Sequence, residues 1–340
     1  MGNAFGLLRS VVALALGLYC TAAAQGAPFT ALYAFGDSLS DIRNDYVVTG
    51  GAIPTAAYYT DGSHVGRFTN GLNYLDLMAS SLGVNLAPSV LGGTDYAFGG
   101  ARTNYVSVGL PPTALSFNQQ IASFNSTHAT ADPNALYVVW IGANDMSDAI
   151  SAAAHGNSAA IGNAISTAMA GIDGAIGDLA GRGATHFLVP NLPDLALVPA
   201  IGGLGNPALD ALAQSASQAF NAALANTLDM SAFSSLSISS LNVYGLLNDV
   251  VNNPGSYGFT NVTGSCYTGN VDGSSIGGAP VTICANPSQH VFWDFEHPTT
   301  TLDAILAQRA LAAVPEPPTW SLLLVAVGLI TFARRPRTSY

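Results

Sequence analysis

Three short runs constrain the fold of this chain more than any other feature. Residues 30–36, 135–142 and 185–191 are mostly apolar and rich in β-branched or aromatic side chains. They lack the alternation of a half-exposed strand, so they read as strands buried on both faces, as parallel strands are. Between the last two lies an Ala-rich stretch, residues 147–180, whose composition favours helix, and further helices are expected over 208–230 and 300–312. Strands alternating with helices predict an α/β architecture with a central parallel sheet covered on both faces. No internal repeat is apparent, and residues 252–290, rich in Gly, Asn, Ser and Pro, predict a long irregular excursion inside the domain. With 340 residues, 49% of them hydrophobic, the chain can build one large core.

The two ends carry a different message. Arg9 precedes the apolar run Val11 to Leu18 and the small residues Ala22-Ala23-Ala24, which predicts a signal peptide over 1–27 cut near Ala24 or Ala27. The run is too short for a membrane span. Tyr19 before Cys20 argues against lipidation, which wants a small residue there. At the other end Val314-Pro315-Glu316-Pro317 leads into the apolar run Trp320 to Ala333 and the basic stop Arg334-Arg335-Pro336-Arg337. Proline, hydrophobic segment and basic stop over 315–340 make a three-part sorting signal, with a plain C-terminal transmembrane anchor as the alternative. Both readings place residues 28–314 outside the cytoplasm. Without Arg9, Arg334, Arg335, Arg337 and Glu316, five arginines and no lysine stand against 19 acidic residues. Such a surface excludes nucleic acid as a partner. Cys266 and Cys284 lie in the irregular stretch. For an exported protein a disulfide is expected there, with a metal site as the alternative, although no His or third Cys lies between them.

Two segments point to chemistry. Phe35-Gly36-Asp37-Ser38-Leu39-Ser40-Asp41 follows the first predicted strand, so its serine sits at the open carboxyl edge where α/β folds bind ligands. Trp293-Asp294-Phe295-Glu296-His297-Pro298-Thr299 sets Asp294 and His297 three residues apart, close enough for one turn to join carboxylate and imidazole. Together they suggest acyl transfer by a Ser–His–Asp set. The pentapeptide Gly273-Ser274-Ser275-Ile276-Gly277 fits the nucleophile-elbow pattern, but it lies in a Gly/Ser-rich loop rather than between strand and helix. No phosphate loop, dinucleotide fingerprint or zinc motif appears, so neither cofactor nor metal is expected.

The order of these motifs resembles the GDSL, or SGNH, hydrolases, in their lipase-like branch. Residues 35–41 are similar to the first block of that family and Tyr96-Ala97-Phe98-Gly99-Gly100-Ala101 to the second. Ile141-Gly142-Ala143-Asn144-Asp145 is similar to the third, and Asp294-x-x-His297 to the fifth. Arg67-Phe68-Thr69-Asn70-Gly71 and Val189-Pro190-Asn191-Leu192-Pro193-Asp194 also resemble lipase-branch segments. The likeness runs over about residues 30–312 in the family's order. It implies a three-layer α/β/α, flavodoxin-like fold. It also implies Ser38 as nucleophile, His297 as general base, Asp294 as its orienting carboxylate, and an oxyanion hole from the Ser38 and Gly100 N–H groups and the Asn144 amide. The tail resembles the PEP-CTERM signal of Gram-negative bacteria, which implies an exosortase-type sorting partner and a periplasmic, surface or matrix location.

The same residues have blander readings. Gly36-Asp37-Ser38 alone is ordinary turn chemistry. Asn144 alone could cap a helix beginning near Met146. Asp37, Asp41 and Asp145 read as loop-holding carboxylates, and His64, His128, His155, His186 and His290 as surface or structural. The leading expectation is an exported esterase or lipase acting on an ester substrate. A polysaccharide O-acyl esterase and a catalytically silent matrix protein are the alternatives.

Overall fold

Leu136–Trp140, with sequence LYVVW, is buried at every position and forms the spine of the sheet, β2. A computed structural model of the chain describes residues 29–106 and 114–315. Within them β2 pairs in parallel with β1 (Leu32–Gly36) on one side and β3 (His186–Pro190) on the other, and β3 pairs with β4 (Ser237–Leu241). The register aligns Gly36 with Trp140 and Pro190 with Leu241, so the strand ends form one edge. Along the free side of β1 the segment 94–98 adds a further parallel row. Ala34 N–H donates to the Thr94 carbonyl at 3.1 Å, Tyr96 N–H to Ala34 at 2.8 Å and Phe98 N–H to Gly36 at 3.2 Å. Counting that row, the spatial order is 2-1-3-4-5, the flavodoxin-like arrangement.

Helices cover both faces. They are α1 (Tyr74–Leu82), α2 (Phe117–Thr127), α3 (Ala143–Ala154), α4 (Ala160–Gly181), α5 (Pro207–Leu228), α6 (Val243–Asn252) and α7 (Thr300–Ala313). Helices α3, α4 and α5 pack on one another, α2 packs on α4 and β1, and α1 packs on α7. Local chemistry explains several boundaries. Asn73 caps α1 in a reciprocal box with Asp76, and Gly83 closes it in the left-handed region. Asn206 caps α5, whose first residue is Pro207.

The three predicted strands are present, each shorter by one or two residues at an end. The single helix expected over 147–180 is two, interrupted where Gly156 takes φ +98°. Strand β4 and helices α1, α2 and α6 lie outside the expected set. The irregular excursion holds one strand of its own, β5 (Asn261–Ser265), which pairs in parallel with β6 (His290–Phe292). Cys266 and Cys284 are joined as a disulfide with Cα atoms 4.8 Å apart. His290, just outside that loop, brings Nδ1 to 3.5 Å from the Cys284 sulfur.

Residues 30–314 form one compact unit. The expected signal peptide, 1–27, and the hydrophobic run after Glu316 lie outside the described residues. Among the described residues no helix is long and apolar enough to cross a membrane.

Candidate active site

Strand β1 delivers Ser38 two residues past its end. Gly36 is required there because a Cβ would stand 2.2 Å from the Trp140 carbonyl oxygen. The buried side chain of Gln120 clamps the same residue: Gly36 N–H donates to Oε1 and Nε2 donates to the Gly36 carbonyl, both at 2.8 Å. The Asp37 carbonyl then accepts the N–H groups of Ser40 and Asp41 at 3.0 Å, and its carboxylate accepts that of Leu39. This closes a tight turn that leaves Ser38 half-buried at the sheet edge.

The second segment meets it there. Asp294 Oδ1 accepts the backbone N–H of Glu296 at 2.8 Å and of His297 at 2.7 Å, which folds the turn. The imidazole Nδ1 lies 2.8 Å from Asp294 Oδ2, and Nε2 lies 2.8 Å from Ser38 Oγ. Tyr59 donates its phenol to Asp294 Oδ2 at 2.6 Å. Both Asp294 and His297 are buried. Burial alone lowers the imidazole pKa, but the Asp294 charge and hydrogen bond, with smaller contributions from Glu296 and Asp37, lift it to about 9. Burial pushes Asp294 the other way and is outweighed by His297, so its carboxyl is held below the ordinary value. Asp37, buried beside them, is pushed up to about 7.

The second and third motif blocks are tied to each other. Asn144 lines the pocket and donates from Nδ2 to the Ala101 carbonyl at 3.0 Å. It sits inside the first turn of α3, whose N-cap is Gly142 at φ +118°, so it does not cap a helix starting near Met146. Thr103 N–H donates to Asp145, and Arg102 grips Asp148 through Nε at 2.8 Å and Nη2 at 2.9 Å. Nη1 of Arg102 also donates to the Gly100 carbonyl at 2.7 Å. The N–H of Gly99 is taken by Asp41 Oδ2 at 3.1 Å. Gly100 itself is not among the residues that line the pocket, whereas Ser38 and Asn144 are. Asp41 also accepts from Arg43, Asn44 and Asp45, holding its loop as expected.

Ser38, Asn144 and His297 open onto a pocket walled by Leu195, Val198, Ile201, Val243, Leu246, Leu247, Leu302 and Leu306, with exposed Glu296 also on its lining. Its lining is mostly aliphatic, joined by Trp140 and Phe292, with Asp37 and Ser147 as further polar members. Ser275 of the elbow-like pentapeptide lies instead in an exposed irregular loop with no helix after it. Tyr59, Gln120 and Arg102 were not expected from the sequence, and no motif marks them.

Fold and site describe an α/β protein with a serine and a histidine in contact at the end of the first strand. The sequence matches the family described as GDSL-like Lipase/Acylhydrolase over residues 32–310, and the chain belongs to that family. It also matches the PEP-CTERM protein-sorting motif over residues 313–337, which marks an exported protein sorted at the cell envelope. A GDSL esterase/lipase of Arabidopsis thaliana is 28% identical, over 84% of this chain and 85% of that one. Lipase 1 of Photorhabdus luminescens is 31% identical over 55% of this chain and 26% of its own. Among solved structures, a lipolytic protein G-D-S-L family member from Veillonella parvula covers 83% of this chain and 97% of its own at 14% identity and a TM-score of 0.40. The topology therefore rests on the strand order, not on that likeness.

Proposed function

We propose that residues 28–314 form an exported serine esterase that hydrolyses carboxylic esters of aliphatic acids, released from a signal peptide at 1–27 and followed by a sorting segment at 315–340. The observation that carries this reading is the 2.8 Å contact between Ser38 Oγ and His297 Nε2 at the mouth of the aliphatic pocket. Ser38 attacks the ester carbonyl while His297 takes its proton as general base. Asp294 holds the Nδ1–H tautomer and stabilises the imidazolium. Ser38 and Asn144, which line the pocket, supply donors to the oxyanion, and the family motif adds Gly100 to them. His297 then protonates the departing alkoxide, leaving an acyl ester on Ser38. Water attacks that ester while His297 takes its proton, and His297 then returns the proton to Ser38 Oγ as the Oγ–acyl bond breaks and the carboxylic acid leaves. The chain needs no cofactor for these steps.

The aliphatic walls favour an alkyl chain over the acetyl group of a polysaccharide, because apolar surface removed from water contributes about 25 cal/mol per Å². The tail makes an exosortase-type enzyme the expected processing partner. The test is a fluorophosphonate probe followed by peptide mapping, with an ester chain-length series that includes acetylated polysaccharide and phospholipid. Labelling at Ser38, lost in Ser38→Ala together with turnover, is the expected result. Labelling at Ser275, or none at all, overturns the reading.

A further inference from the structure

Asp294 has an unexpected neighbour. Tyr59 lies 235 residues away in the chain, is 1% exposed, and points its hydroxyl at Asp294 Oδ2. Its ring is fixed on several sides. Trp293 and Tyr267 pack edge-on to it with centroids 6.4 and 5.5 Å away, and Phe68, which itself lies 5.1 Å from the His297 ring, packs at 6.5 Å. Its backbone belongs to a turn anchored on the disulfide loop, since Thr55 N–H donates to the Val271 carbonyl at 2.8 Å. A phenol this buried keeps its proton. Burial and the adjacent Asp294 charge both raise its pKa far above the ordinary value. It is therefore a permanent donor.

We propose that Tyr59 is a positioning residue of the catalytic set, fixing Asp294 Oδ2 against His297 Nδ1 and tempering the pull of the carboxylate on the imidazolium. This rests on the Ser38–His297–Asp294 reading above. Oδ2 receives the phenol and the shorter His297 Nδ1 contact, at 2.8 Å, while Oδ1 receives the two backbone N–H groups and lies 3.0 Å from the same Nδ1. A donor that shares the carboxylate charge lowers its attraction for the proton on His297. Removing that donor leaves a buried lone pair unmatched and concentrates the charge on the imidazole. The other groups acting on His297 are Asp37, Glu296 and Asp303, and Tyr267 is the other titratable group near Asp294. None of them changes in the experiment.

The test compares wild type, Tyr59→Phe and a protein carrying fluorotyrosine at position 59 alone. Phe keeps the ring packing and removes only the hydroxyl. Tyr59→Phe is expected to lower kcat about tenfold with KM little changed. It also moves the rising limb of the pH profile, and the titration of the low-field Nδ1 proton in NMR spectra, to higher pH. The more acidic fluorotyrosine donates more strongly and moves both to lower pH, and it carries the test even if Tyr59→Phe does not fold. Unchanged pH limbs and proton titrations across the variants overturn the proposal and leave Tyr59 as core filling. Ser38→Ala is run alongside. Turnover that survives in it refutes the underlying triad and not the Tyr59 contact, which the Nδ1 resonance reports independently.

Discussion

Reduction of the Cys266–Cys284 bond is expected to cost activity at temperatures where the fold is still intact. The bond joins residues separated by 18 positions. Closing a loop of that length removes about 11 cal/mol/K of entropy from the unfolded chain in the chain-entropy model, or about 3 kcal/mol at 25 °C. For a domain of nearly 300 residues, with about 2.1 cal/mol/K of unfolding entropy per residue, that lowers Tm by about 5 °C. The local effect is larger than the global one because the loop is bonded to the strand that leads into Asp294. Cys266 N–H donates to Phe292 at 3.1 Å, and Tyr267 N–H donates to Trp293. Cys266 also packs in one cluster with Tyr59, Tyr267 and Trp293. The assay follows hydrolysis of a short-chain ester and the melting curve in parallel against reductant, with the Cys266→Ser/Cys284→Ser double variant as control. Mass spectrometry of the non-reduced protein establishes the bond itself. Two free thiols in exported protein refute the reasoning, as does zinc held by Cys266, Cys284 and His290, whose ligand atoms lie within 4.8 Å of one another. A melting curve indifferent to reductant refutes it as well.

Two further outcomes follow from the site. Asn144→Ala is expected to lower kcat by about 10²–10³ with KM little changed, since an oxyanion donor acts in the transition state. A raised KM with unchanged kcat reassigns Asn144 to substrate binding. With the His297 pKa lifted to about 9, the neutral imidazole is the minority form at neutral pH, so kcat/KM is expected to climb with pH, reach half its plateau near 9 and level off above it. The same shift links to stability with the opposite sign. The contribution of a histidine whose folded pKa lies above its unfolded value of about 6.5 is complete below 6.5 and fades as pH rises through 9. Rate–pH profiles and denaturant melts over pH 6–10 check both, and a profile flat over that range contradicts the assignment.

Which parts of the molecule are legible in the sequence follows from where the information resides. Strands β1, β2 and β3 announce themselves because burial on both faces demands unbroken apolar runs. Strand β4 does not, because Ser237, Ser239 and Ser240 interrupt it and its membership depends on the backbone ladder to β3. The break between α3 and α4 is hidden because alanine-rich composition favours helix on either side of Gly156. Ser38, Asp294, His297 and Asn144 are legible because short motifs carry them. Tyr59 and Gln120 are not, because each acts on one residue far away in the chain, across 235 and 84 positions respectively, and nothing local distinguishes them from core side chains. Gly100 shows the converse. Its motif singles it out, yet it stands off the pocket lining.

Helix α7 has a mechanical consequence. It begins three residues after His297, turns Leu302 and Leu306 into the pocket, and ends at Ala313, where the sorting motif begins. His297, the pocket wall and the start of the sorting motif are thus links of one covalent series fewer than 20 residues long. A load applied to the chain beyond Val314, whether from a membrane, a processing enzyme or a fusion partner, reaches α7 first and the histidine turn next. A linker inserted after Val314 leaves Leu302, Leu306 and His297 untouched, whereas a truncation that shortens α7 takes the pocket wall with it.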